Sequence, residues 1–127
     1  MKIKLTKVYV ADQEKALRFY TEVLGFVKKA DFSNGPFRWL TVASPEEPDG
    51  SELLLESIDF APARPFRQAL RDAGIPFTQF AVEDIQAACD RLTKLGVVFP
   101  QKPTQMGPTT IAMFDDTCGN FIQLIQN

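Results

Sequence analysis

At 127 residues, with 45% hydrophobic and 24% charged side chains, the chain has the size and apolar content of one soluble domain with one sizeable core. A formal net charge of −2 and the absence of a Lys/Arg cluster exclude a phosphate-backbone partner, so no nucleic acid is expected. There is no histidine, which removes Ser-His-Asp and Cys-His nucleophile systems, imidazole-built zinc sites and the iron triad of two His and one carboxylate.

Met1 leads directly into an alternating pattern, with no apolar signal region and no run of about 18 apolar residues, so neither a membrane span nor export is expected and the protein is placed in the cytoplasm. Ile3 to Val10 reads as a strand with Thr6, Val8 and Val10 on one face and Leu5, Lys7 and Tyr9 on the other. Asp12 caps a helix in which Ala16, Phe19, Tyr20 and Val23 recur at helical spacing until Gly25 ends it. Strands are expected at Phe26 to Phe32, Phe37 to Ala43 and Ser51 to Ser57, with a turn at Ser33 to Pro36 and a polar loop at Ser44 to Gly50.

A short connecting helix is expected over Pro65 to Ala73, stopped by Gly74 and Pro76. The order then repeats: strand Phe77 to Val82, helix Asp84 to Leu95, and strands near Val97 to Gln101, Thr109 to Phe114 and Asn120 to Gln126. Cys89, in the helical pattern, and Cys118, in a turn, lack metal-ligand spacing and read as reduced structural thiols.

The repetition is the main signal. Val10-Ala11-Asp12 running to Leu24-Gly25-Phe26 is matched by Val82-Glu83-Asp84 running to Leu95-Gly96-Val97, with a slip of one residue. A long period filling the chain only twice implies a duplicated module rather than a solenoid. The expected architecture is α+β: a single domain (1–127) of two paired βαβββ modules, 1–58 and 76–127, joined through 59–75. Each curved mixed sheet is covered by a helix on one side, leaving bare faces to line a cup-shaped cavity. Strand alternation assigns Leu5, Lys7, Tyr9, Glu52, Leu54 and Glu56 to the bare face of the first sheet, and Phe77, Gln79, Ala81, Phe121, Gln123 and Ile125 to that of the second. The face of Trp39 stays open.

These segments resemble the vicinal oxygen chelate superfamily, which includes glyoxalase I, bleomycin resistance proteins and extradiol dioxygenases. The resemblance rests on Val8 to Asp12 leading to Ala16 to Tyr20 and Leu24-Gly25-Phe26, on Arg38 to Val42, and on Phe114 to Asn120 with Gln123. It implies a homodimer and a metal held by one side chain from each of four strands. Carried over, those four positions are Leu5, Glu56, Phe77 and Gln123, a degenerate set. No cofactor is therefore expected, and a divalent metal belongs to the alternative reading.

The expected function is small-molecule binding of the glyoxalase/bleomycin-resistance type, metal-free, around a partly aromatic ligand. The expected ligand-binding residues are Leu5, Lys7, Tyr9, Trp39, Leu54, Glu56, Phe77, Gln79, Phe121 and Gln123. The alternative is a metal-dependent lyase, isomerase or dioxygenase with Glu56 as its candidate base. Glu56 has a plain structural reading too, a salt bridge to Lys7.

Overall fold

The computed structural model describes residues 1–127. The chain forms two compact units, Met1–Pro65 and Phe66–Asn127. The first contains β1 (Leu5–Val10), α1 (Gln13–Arg18) with a π-helical continuation (Phe19–Val23), β2 (Val27–Asn34), β3 (Phe37–Ala43) and β4 (Glu52–Ser57). Helix α2 (Ala63–Asp72) carries the boundary in its first turn. The second unit continues with β5 (Thr78–Ala81), α3 (Ile85–Lys94), β6 (Gln101–Met106), β7 (Thr109–Asp115) and β8 (Phe121–Gln126).

Each unit holds one four-stranded mixed sheet, in the orders β1-β4-β3-β2 and β5-β8-β7-β6, with the first strand parallel to the last and the others antiparallel. The duplication extends to the caps. Asp12 accepts from the Lys15 amide at 3.1 Å and Asp84 from the Ala87 amide at 3.0 Å, each satisfying a first-turn donor that would otherwise lack a partner. At the other ends Gly25 (φ 87°) and Gly96 (φ 90°) reverse the chain in the left-handed region. One residue more separates Asp12 from Gly25 than Asp84 from Gly96. The π turn absorbs it: the Leu24 amide bonds the Phe19 carbonyl five residues back, at 3.1 Å, the signature of a single residue inserted into an α-helix.

The helices cover one face of each sheet, as the side chains that cross the gap show. Arg38 shares a face with Leu40 and Val42, and its guanidinium reaches Glu14 on α1 at 2.8 Å. Gln126 shares a face with Ile122 and Leu124 and accepts from the Ile85 amide at the start of α3, at 2.7 Å. The first core is Val8, Val10, Ala16, Tyr20, Leu40, Val42, Leu53 and Leu55; the second is Ile85, Cys89, Leu92, Ala112, Phe114, Ile122 and Leu124.

One strand lies elsewhere than expected. Val97 to Pro100 is irregular and β6 begins only at Gln101. Pro100 cannot donate to a ladder, and Pro103 falls where the β6–β7 register shifts, on an edge strand that tolerates it.

Candidate functional site

The face of the first sheet turned away from α1 is fixed by register. Leu5, Lys7 and Tyr9 oppose Glu52, Leu54 and Glu56 on β4, Leu54 opposes Thr41 on β3, and Trp39 opposes Phe32 on β2. Because paired residues project to the same side, Trp39 belongs to this bare face, together with Phe37 and Phe32. Phe32 and Trp39 stack with ring centroids 6.5 Å apart and planes 24° apart. Phe32 is 60% and Phe37 74% exposed, and Trp39 39%, so two of the three aromatic side chains on this hairpin stand largely in solvent and the third is partly open. Exposed apolar clusters of this kind mark contact surfaces for ligands or partners.

Polar groups flank the aromatics. Lys7 Nζ lies 3.7 Å from Glu56 Oε2, an ion pair half open to solvent. Glu52 accepts from the buried Thr41 hydroxyl at 2.7 Å and pairs with Lys4 at 3.0 Å; the Thr41 hydrogen bond, then Lys4, holds its carboxyl below the usual range. Outside this face, Arg38 donates twice to Asp31, and that guanidinium brings the Asp31 carboxyl down to about 2.

In the second unit, Phe77, Gln79 and Ala81 share their face with Phe121, Gln123 and Ile125, and with Ile111, Met113 and Asp115 on β7. Gln79 Nε2 donates to Gln123 Oε1. Helix α2 reaches over one end of this face. Arg71 sits 4.4 Å from the centroid of the Phe121 ring and bonds Asp115 at 2.8 Å, while Phe66 meets Phe77 edge to face at 6.1 Å. Phe77 and Phe121 are thus in contact with α2 side chains.

The turn before β8 is built on Asp116. Its buried carboxylate accepts from the Cys118 amide, the Asn120 amide and the Asn120 side chain at 2.8–2.9 Å. Arg67 Nη1 donates to the Cys118 carbonyl at 2.9 Å, and a Cβ on Gly119 would stand 2.5 Å from the Arg67 guanidinium carbon. The φ of 103° favours glycine there, and any side chain would displace the Arg67 guanidinium. Both cysteines are buried, and desolvation pushes the Cys89 thiol up, away from nucleophilic use.

The four positions at which the resemblance places metal ligands do not make a donor set. Leu5 and Phe77 have no lone pair to offer, Glu56 is paired with Lys7, and the Gln123 carbonyl accepts from Gln79. The register sharpens this. Gln123 stands opposite Gln79, two residues beyond Phe77; the residue standing opposite Lys7, two beyond Leu5, is Leu54, whereas Glu56 stands opposite Tyr9. No group of three or more His, Cys, Asp or Glu side chains is gathered anywhere in the chain, and no helix is long and apolar enough to cross a membrane.

Phe32, Phe37, Glu52 and Arg71 are absent from the expected site list. The first two carried a readable signal, since a two-residue turn at Gly35-Pro36 fixes Phe32 opposite Trp39. For Arg71, nothing in the alternation of the strands points to a helix side chain reaching a sheet face.

The sequence profile of the Glyoxalase/Bleomycin resistance protein/Dioxygenase superfamily matches residues 2–124, and the chain belongs to that superfamily. It is 51% identical over 126 residues to the uncharacterized protein YurT of Bacillus subtilis (strain 168), covering 99% of each chain. It is 32% identical to a probable lactoylglutathione lyase of Synechocystis sp. (strain ATCC 27184 / PCC 6803 / Kazusa), covering 95% of this chain and 92% of that one. The crystal structure of TnmS3, an antibiotic binding protein from Streptomyces sp. CB03234, superposes with a TM-score of 0.81 at 32% identity, covering 99% of this chain and 95% of that one.

Proposed function

We propose that this chain is a small-molecule-binding protein that uses no resident metal and receives a partly aromatic ligand on the bare face of its first sheet. The observation that carries the reading is the Phe32–Trp39 stack with Phe37 beside it, exposed on the same face as the Lys7–Glu56 pair. Flat apolar surface of this kind rewards offset stacking, and the ion pair supplies polar anchors of both signs at its border. The likeness to an antibiotic binding protein supports the same function class. Leu5 and Tyr9 border the proposed site, with Leu54 buried between them; Phe77, Gln79, Phe121 and Gln123 are its counterparts on the second sheet.

We further place the protein in the cytoplasm and read it as a homodimer, on the strength of the superfamily. Velocity sedimentation at micromolar concentration tests the dimer.

The likeness to a probable lactoylglutathione lyase favours a second reading, an enzyme with a displaced metal site and Glu56 as base. Elemental analysis of protein purified without chelators, followed by titration with Mn²⁺, Ni²⁺ and Zn²⁺, separates the two. Substoichiometric metal and no tight uptake support the binding protein; stoichiometric metal lost in Glu56→Gln supports the enzyme.

A further inference from the structure

The bare face of the second sheet is organised in rungs. Gln79, Gln123, Met113 and Gln101 oppose one another in turn across β5, β8, β7 and β6, so one row of side chains, three of them amides, crosses the whole sheet. The neighbouring rungs are apolar: Ala81, Ile125 and Ile111 on one side, Phe77 and Phe121 on the other. The charged residue at that second rung is Asp115, which Arg71 already engages at 2.8 Å. A ligand on this face therefore meets no uncompensated charge.

A primary amide carries two N–H donors and a carbonyl with two lone pairs. In the Gln79–Gln123 pair one N–H of Gln79 is spent on the carbonyl of Gln123. The Gln79 carbonyl and the Gln123 amide nitrogen keep an acceptor and two donors, on adjacent strands. From this we infer that the Gln79–Gln123 pair is a specificity determinant for neutral ligands presenting an N–H and a C=O on one edge, such as a lactam or imide fused to an aromatic ring. Gln123 occupies a place where the superfamily resemblance sets a metal ligand, and meets the ligand there as one half of an amide pair. This inference rests on the reading that the chain binds partly aromatic ligands, and concerns the face of the second sheet by itself.

The test is calorimetric titration of the full chain with 2-quinolone, which has adjacent N–H and C=O groups, and with N-methyl-2-quinolone, which lacks the donor. Wild-type protein is expected to bind 2-quinolone about tenfold more tightly, the scale of one net hydrogen bond. In Gln79→Met, a near-isosteric exchange that removes the acceptor for the ligand N–H, the preference falls to within about twofold while N-methyl-2-quinolone binds as before; in Gln123→Met, which removes the donor to the carbonyl that both compounds keep, both bind several-fold more weakly. Equal affinities in the wild type overturn the amide inference and leave aromatic binding standing, as does a preference that survives Gln79→Met. Loss of both compounds from Gln79→Met shows that the glutamine holds the sheet together, and also overturns it. Binding of neither compound by the wild type overturns this inference and counts against aromatic binding itself.

Discussion

Phe32 stacks on Trp39 across the β2–β3 ladder, and both rings lie on the face that α1 does not cover. Trp39 is 39% and Phe32 60% exposed, so the rings have surface to give to a ligand. Trp39→Ala is expected to weaken binding of a planar aromatic ligand about tenfold, the loss of one stacking partner and its area, and to lower stability by about 1–3 kcal/mol, since more than half of the side chain is covered. Calorimetric titration beside urea unfolding checks both halves.

Glu56→Gln removes one member of an ion pair whose side chains are 47% and 33% exposed, and solvent screening leaves such a pair worth within about 0.5 kcal/mol. The urea midpoint is therefore expected to stay nearly unchanged. Affinity for a cationic aromatic compound falls relative to its neutral analogue, because Lys7 then faces the ligand without a counter-charge.

Asp31 has a carboxyl brought from 3.8 down to about 2 by the Arg38 guanidinium that bonds it. A depressed carboxylate contributes stability that is complete above the unfolded value and is lost as pH falls towards the folded one. Wild-type protein is thus expected to exceed Asp31→Asn in urea midpoint near neutrality. The gap should narrow between pH 3.8 and about 2. A gap independent of pH in that window speaks against the Arg38 pairing.

Asp116→Ala strips three hydrogen bonds from a buried turn and leaves the Cys118 and Asn120 amides without acceptors. A loss of about 2–4 kcal/mol is expected by urea unfolding, since unpaired buried donors cost more than the bonds themselves contribute.

The chain shows much of this fold on its surface. The Asp12/Asp84 and Gly25/Gly96 pairs name the caps and ends of two equivalent helices, and alternation sorts Leu5, Lys7 and Tyr9 from Val8 and Val10 because only one face of that strand is apolar throughout. The face of Trp39 was illegible for a physical reason. Phe37 to Ala43 is apolar on both sides, with Leu40 and Val42 packed under α1, so its sides are told apart only by pairing to β2 and β4. The one-residue slip between the repeats was visible, yet its form, a π turn at Phe19 to Val23, depends on backbone bonding. The start of β6 is hidden in the sequence because the apolar run at Val97 to Phe99 has the look of a strand, whereas the prolines displace pairing to Gln101. For the site, Glu56 stands out in the sequence as a carboxylate on the bare face of an apolar cup, but its partner across the ladder is Tyr9, and the counterpart of Gln123 is apolar Leu54.

Trp39 is the sole tryptophan, so its emission reports directly on the proposed site. Chelator-treated protein titrated with a planar aromatic compound is expected to show saturable quenching at one compound per chain, unchanged when Mn²⁺, Ni²⁺ or Zn²⁺ is supplied. Quenching that appears only once metal is added, or an emission that no aromatic compound alters, would contradict metal-free recognition on this face.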